Sequence, residues 1–303
     1  MDQNNVNTQI RPSSVPVISD EEIIRQIGRR NWRNKLFKFG IIAITVIATL
    51  PLLFILYYIF KQGIAAINWD FFTNLPKPVG ETGGGIANAL VGTLLILLMS
   101  CVVAIPVGII IGIYLSEDTH SRLAYYSRLS VDVLQGIPSI VIGIIIYEWV
   151  VRPLGGFSAI SGSMALALMM LPAIIKSTEE TLKLLPGSLK EASLALGVPY
   201  YKTILKIIVP TGMGGITAGV ILSISRVIGE TAPLLFTSFG NSFMSTDVFK
   251  PMSSLPLIIF NYSTSPYEDW HQLAWGASLI LILMVLFLNV ITKIVQRIWK
   301  VQY

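Results

Sequence analysis

Six windows of about 20 apolar residues govern what this chain can become. They lie near 37–60, 87–115, 129–151, 159–175, 207–228 and 273–293. A stretch of that length crosses a bilayer as a helix, because a helix satisfies its own backbone groups where no water is present. Of the 303 residues, 53% are hydrophobic and 13% charged, whereas soluble domains carry about 25% charged residues. The expectation is an all-α, polytopic membrane protein with six transmembrane helices, built as one membrane domain over residues 37–295. Residues 1–36 precede it and 296–303 form a short tail.

Charge distribution sets the expected orientation. With an even number of spans both termini lie on one side, and that side receives seventeen of the 22 Lys and Arg residues. Lys61, Lys77, Arg152 and Lys250 fall on the other side, and Arg226 on neither. The positive-inside rule then puts both termini and the 176–206 loop in the cytoplasm. The net charge of +5 forms no stripe with interleaved aromatics, so no nucleic-acid partner is expected. The polar start has no cleavable signal pattern, so the first span is expected to act as the insertion signal. Residues 1–18 read as disordered. Ser19-Asp-Glu-Glu22 reads as a capping box opening an interfacial helix with Ile23, Ile24 and Ile27 on its apolar side.

Several chemistries are not expected. Cys101, the one cysteine, lies in an apolar run and reads as a small packed hydrophobe. His120 and His271 have no second ligand at metal spacing and form no readable hydrolase arrangement. There is no Gly-Lys dipeptide, hence no P-loop and no ATPase activity of the chain's own. No cofactor is implied. Gly108-xxx-Gly112 and Gly215-xxx-Gly219 mark close helix approaches, either within the chain or against a second subunit.

The loop 186-PGSLKEASLALGVPYYKTILKIIVP-210 is the densest motif. Ser188 and Glu191 form a capping-box pattern, so a short helix is expected to begin there. Leu189, Ala192, Ser193 and Leu196 then share a face that is small in its middle. Gly197 suits the left-handed position after a helix, and Pro199 suits the start of the next. Such a helix is either a peg for another protein's groove or a connector lying on the membrane.

Glu191-Ala192-Ser193, three residues, Gly197, nine residues and Ile207-Ile208-Val209-Pro210 closely resemble the EAA signature of ABC-importer permeases, with Ser193 and Val209 departing conservatively. Gly83-Gly-Gly-Ile86 with Gly92-Thr93, Gln135-Gly-Ile-Pro-Ser-Ile140 and Gly229-Glu-Thr-Ala-Pro-Leu-Leu-Phe-Thr237 resemble the phosphate-importer branch of that family. The resemblance implies a type I importer permease fold in the bacterial inner membrane. It also implies that a coupling helix within 187–205 inserts into a cytoplasmic ATPase through Glu191, Ala192, Ser193 and Gly197. The implied partners are a second, related permease, two ATPase subunits, an external phosphate-binding protein and the lipid bilayer.

From Ile207 to Thr246 the only Lys, Arg, Asp or Glu residues are Arg226 and Glu230. Helical spacing would put both on one face. An arginine at the bilayer centre costs roughly 2.5–3.5 kcal/mol, so either the pair neutralises itself at a helix end or Arg226 attracts a passing oxyanion. The family resemblance favours the second reading. Gly229 and Pro233 would break the helix; with Thr231, the freed N–H groups either add anion donors or simply turn the chain. Gly83 to Gly85 carry the same alternative. In the outer loop 229–272, Ser254–Phe260 is expected to dip toward the bundle. Tyr262, Tyr267 and Trp270 read as interfacial aromatics or as a landing surface for the binding protein. The rivals are a permease for another oxyanion, such as phosphonate or molybdate, and an ion-coupled secondary carrier using Glu230. A membrane-embedded enzyme lacks a recognisable nucleophile or metal cluster.

Overall fold

The computed structural model describes residues 20–81 and 83–298, with side chains over 29–81 and 83–297. The stretch read as disordered lies outside the described residues, as does Ser19 of the capping box. The chain divides into a unit ending at Tyr58 and a second unit beginning at Ile59. The first unit's described part belongs to α1 (Asp20–Ala66), a helix unbroken from the segment read as interfacial into the first span. Pro51 sits inside it, and apolar side chains such as Phe37, Ile47 and Phe54 are exposed.

The second unit begins with the last turns of α1, followed by the one-turn α2 (Trp69–Thr73), which Asn68 caps by accepting from Phe71 N–H. Gly83 and Gly84 adopt left-handed backbone in the turn before α3 (Ala87–Glu117). Next come α4 (Arg122–Gly136) and α5 (Ser139–Ile146). A π turn, Tyr147–Val151, leads into α6 (Arg152–Leu154). The long α7 (Ala159–Lys183) precedes the loop helices α8 (Gly187–Ala195) and α9 (Tyr200–Thr203). A second π turn, Ile204–Ile208, opens α10 (Val209–Val227). The chain ends in α11 (Ala232–Thr237), α12 (Leu255–Ser263) and α13 (Glu268–Ile298).

Among the described residues, five helical runs are long and apolar enough to cross a membrane, and a sixth is obtained if α4 and the α5–α6 run count as one span. That third span covers the 129–151 window expected, with Pro138 inside it. It turns by 106° between Gly136 and Ser139. Pro138 explains the corner, since its ring pushes Ile137 out of helical backbone, to φ −73° and ψ 129°.

Proline also explains both π turns. Pro153 and Pro210 each follow a π segment by two residues. Each lacks an N–H and crowds the carbonyl four residues back, Trp149 or Lys206, and the turn widens to relieve that clash.

α7 is the axis of the second unit, with α3 and α10 packed on it. Lipid tails give little apolar drive for helix association, so close backbone approach has to supply the packing. A methyl group added at Gly112 would sit 2.5 Å from the Thr178 side chain, and one at Gly219 would sit 1.9 Å from Ser177 Oγ. Both small-residue motifs therefore pack inside this chain. Ile96, Ala104, Leu166, Met170, Ile174, Val227, Leu234 and Leu257 form the adjoining core. In α12, Leu255 and Leu257 are fully buried, and Leu255 N–H donates to Thr93 Oγ1 at 2.8 Å. Tyr262 is buried as well, stacked on Trp270 at 4.5 Å, which corrects its reading as an interfacial aromatic.

Candidate functional site

Polar chemistry gathers at the two ends of the Tyr200–Val227 run, about 40 Å apart at 1.5 Å per residue.

At the loop end, α8 begins at Gly187, with Pro186 as its N-cap and no side-chain cap. The expected Ser188–Glu191 capping box does not form, because the chain enters the helix two residues earlier, with Pro186 in the N-cap place expected for Ser188. Its exit is as expected. Gly197 has φ +77°; Gly197 N–H donates to Leu194 O at 2.9 Å and Val198 N–H to Ser193 O at 3.3 Å. This crossed pair closes the helix only with a left-handed residue at Gly197. Pro199 then caps α9.

The faces of α8 differ from expectation. Ser193 is 4% exposed and its Oγ lies 2.8 Å from Thr203 Oγ1. Leu189, one turn earlier, packs on Leu182, Ile204, Ile208 and Ile216. This row faces the chain itself. The open face carries Glu191, Ala192, Ala195 and Leu196, the last 84% exposed. Ser193 thus sets the helix against α9.

Sequence reasoning missed the ionic fastenings beside this corner. Glu117, the last residue of α3, accepts from both Lys190 Nζ of α8 and Tyr200 OH of α9. Lys190 Nζ also lies 3.0 Å from Tyr200 OH and 4.7 Å from its ring centroid. Burial pulls the Lys190 ammonium down, but its hydrogen bonds to Glu117 and Tyr200 outweigh that and raise it above the usual lysine value.

A second group joins α4 to α7. Arg128 Nε pairs with Glu179 at 2.7 Å, and Lys183 Nζ reaches the same carboxylate at 2.5 Å. Arg128 also donates to the Leu115 and Asp118 carbonyls, and Lys176 pairs with Asp132 at 2.6 Å. These side chains line a cavity of about 190 Å³ with both signs of charge balanced. The only sequence signal for them was a cluster of charges at the ends of apolar blocks.

At the other end, α10 stops at Val227, and Glu230 N–H bonds back to Val227 O at 3.1 Å in the turn that follows. Arg226 and Glu230 therefore do not share a helical face. Among the described residues no ion pair joins them, and Arg226 is exposed without a hydrogen-bond partner. Helical spacing failed here because the helix ends at Val227 and the chain turns through Ile228 and Gly229 before Glu230. Thr231 is the N-cap of α11 and makes no side-chain cap bond.

The structure brings two of the sequence motifs together. A methyl group at Gly143 of α5 would lie 2.8 Å from Pro233 Cα, so the segment after Pro138 supports α11. Gly92 similarly abuts the Ser253 carbonyl.

Residues 104–300 match the family described as binding-protein-dependent transport system inner membrane component. The phosphate transport system permease protein PstA of Yersinia pestis is 39% identical over 271 residues, covering 88% of this chain and 92% of that protein. PstA of Haemophilus influenzae is 38% identical, covering 88% and 94%. PstA 1 of Mycobacterium tuberculosis is 36% identical, covering 88% and 90%. Among solved structures, an inward-facing MetNI methionine ABC transporter chain superposes with a TM-score of 0.59 at 16% identity, over 71% of this chain and 98% of that one. At that identity the likeness speaks to the fold, which is that of ABC importer permeases. The chain belongs to the inner membrane components of binding-protein-dependent transport systems, within the PstA family of phosphate transport system permease proteins.

Proposed function

We propose that the chain forms half of the translocation pathway for inorganic phosphate in an ATP-driven importer, and that a second, related permease supplies the other half. The observation that carries this reading is the 36–40% identity to PstA proteins over 76–88% of the chain. Residues 37–295 are the permease domain. Both termini and α8 face the cytoplasm, as the Lys and Arg distribution supports. Of the importer's two ATPase subunits, one docks on α8 through Glu191, Ala192 and the corner held by Gly197, with Ser193 keeping that surface in register. An external phosphate-binding protein delivers the ion.

Arg226, Glu230 and Thr231 line the pathway. The exposed, unpartnered guanidinium of Arg226 supports this placement, since its fork of donors suits a phosphate oxyanion. Glu230, one turn along the chain, tempers the attraction so that the anion leaves again.

The test is radiolabelled phosphate uptake by the full importer carrying Arg226→Gln. Uptake is expected to fall about tenfold, near the worth of one charge-assisted hydrogen bond, while the complex assembles normally. Wild-type uptake would remove Arg226 from the pathway.

A further inference from the structure

We propose that Glu117 is a positioning residue that makes α3 follow α8, so that motion imposed on the coupling helix reaches the transmembrane bundle through a non-covalent strut. The inference rests on the reading of α8 as the ATPase-docking helix.

Covalently, α8 connects to α7 through Leu184–Pro186 and to α10 through Gly197, Pro199 and α9. Each route includes a stretch outside regular α-helix, although Ser193 also meets Thr203 and Leu189 packs on Leu182, Ile204 and Ile208. The first is a short non-helical connector. The second passes through the left-handed Gly197 corner and the widened turn at Ile204–Ile208. The Glu117 contacts add a third connection that bypasses both stretches.

α3 has no covalent link nearby, since Glu117 and Lys190 are 73 residues apart. Yet Glu117 Oε2 takes hydrogen bonds from Lys190 and Tyr200 together. One carboxylate oxygen therefore holds the helices on both sides of the Gly197 corner. The Glu117 and Lys190 side chains are 20% and 30% exposed, so water screens the pair less than it would an open surface pair. Along its length α3 lies against α7 at Gly108 and Gly112, where added methyl groups would meet Ile174 and Thr178. The path is therefore α8 to Glu117, Glu117 to α3, and α3 to the axis of the bundle. The other acidic residues near this end are otherwise engaged or turned outward. Asp118 accepts from the Ser121 and His120 amides, Glu179 is held by Arg128 and Lys183, and Glu191 is exposed.

The experiment uses the complete importer in proteoliposomes with inorganic phosphate inside the binding protein's compartment, reading phosphate moved and ATP hydrolysed. With Glu117→Gln the ATPase subunits still co-purify and hydrolyse ATP, and phosphate moved per ATP falls about fivefold, within the range for a severed link in a coupling network. The exchange Glu117→Lys with Lys190→Glu restores most of the ratio. A wild-type ratio in both Glu117→Gln and Lys190→Met overturns the proposal. So does a parallel loss of hydrolysis, transport and thermal stability, which marks a merely structural contact.

A second variant guards against misfolding. Glu117→Cys with Lys190→Cys, in a Cys101→Ala background, is joined by a short bifunctional thiol reagent. Cross-linking is expected to raise phosphate moved per ATP; a ratio that stays low or drops overturns the strut. If the ATPase subunits fail to co-purify with the unmodified chain, the docking reading itself falls and the strut falls with it.

Discussion

Ser193 Oγ and Thr203 Oγ1 lie 2.8 Å apart, buried between α8 and α9 on either side of the Gly197 corner. The third position of the EAA stretch is therefore part of the chain's own packing. Ser193→Ala removes one neutral hydrogen bond and is expected to cost about 1 kcal/mol, with ATPase association unchanged. Ser193→Leu overfills the site and is expected to cost about 1–3 kcal/mol. Thermal melting of the detergent-solubilised complex checks both. If Ser193→Ala abolished co-purification of the ATPase subunits without lowering the melting temperature, the side chain would have to contact the partner directly.

Gly197 isolates a purely conformational effect. Its φ is +77°, and a methyl group built there would meet nothing within 4 Å. Any loss on substitution therefore comes from the backbone and not from a clash. An L-residue in this region costs roughly 1–2 kcal/mol, more if β-branched, whereas asparagine visits it readily. Gly197→Val is expected to cut co-purification of the ATPase subunits severely while the membrane helices stay folded by circular dichroism. Gly197→Asn should keep most of it. Equal behaviour of the two variants would show that the left-handed corner is not what presents α8.

Gly112 tests the helix packing. Its neighbours across the α3–α7 contact are the Thr178 side chain and the Ile175 carbonyl, at 2.5 and 2.9 Å from an added methyl group. Thr178 is fully buried and its hydroxyl has no partner, so it has nowhere to move. Gly112→Val is expected to cost about 1–3 kcal/mol by overpacking, whereas Gly40→Val, with nothing within 4 Å inside its own unit, should cost far less. Comparing the melting temperatures of the two variants in the same detergent decides this.

The sequence made these positions unequally readable. Gly197 was legible because a left-handed residue after a helix is a local requirement, and glycine spacing announces it. The apolar windows were legible for the same reason, since a bilayer imposes length and composition on each segment separately. Ser193 was not legible, because which row of α8 turns inward depends on where Leu182, Ile204 and Ile208 stand. Glu117 was invisible for a deeper reason. Its partners lie 73 and 83 residues away, and neither is set by any local pattern. Arg226 and Glu230 misled in the opposite direction. Their i, i+4 spacing is meaningful only inside a helix, and the helix ends between them.

That break makes a quantitative statement about the same two residues. Were they a neutralising ion pair, removing either would strand the other, and the double variant would be milder than the two single losses combined. With no ion pair between them among the described residues, the roles proposed for them on the anion are independent of each other. Arg226→Gln, Glu230→Gln and the double variant are therefore expected to combine nearly additively in free energy, with an interaction energy below about 0.5 kcal/mol. Initial phosphate uptake rates at subsaturating phosphate supply the four corners of the cycle. Arg226→Gln should lower the rate by weakening attraction, while Glu230→Gln should strengthen attraction and slow release, so it acts mainly on the saturated rate. Two slowed single variants with a double variant milder than their sum, an interaction energy well above about 0.5 kcal/mol, would mean the two charges neutralise each other in the working transporter. In that case Arg226 would be one half of a structural pair formed on assembly and not a waypoint for the ion.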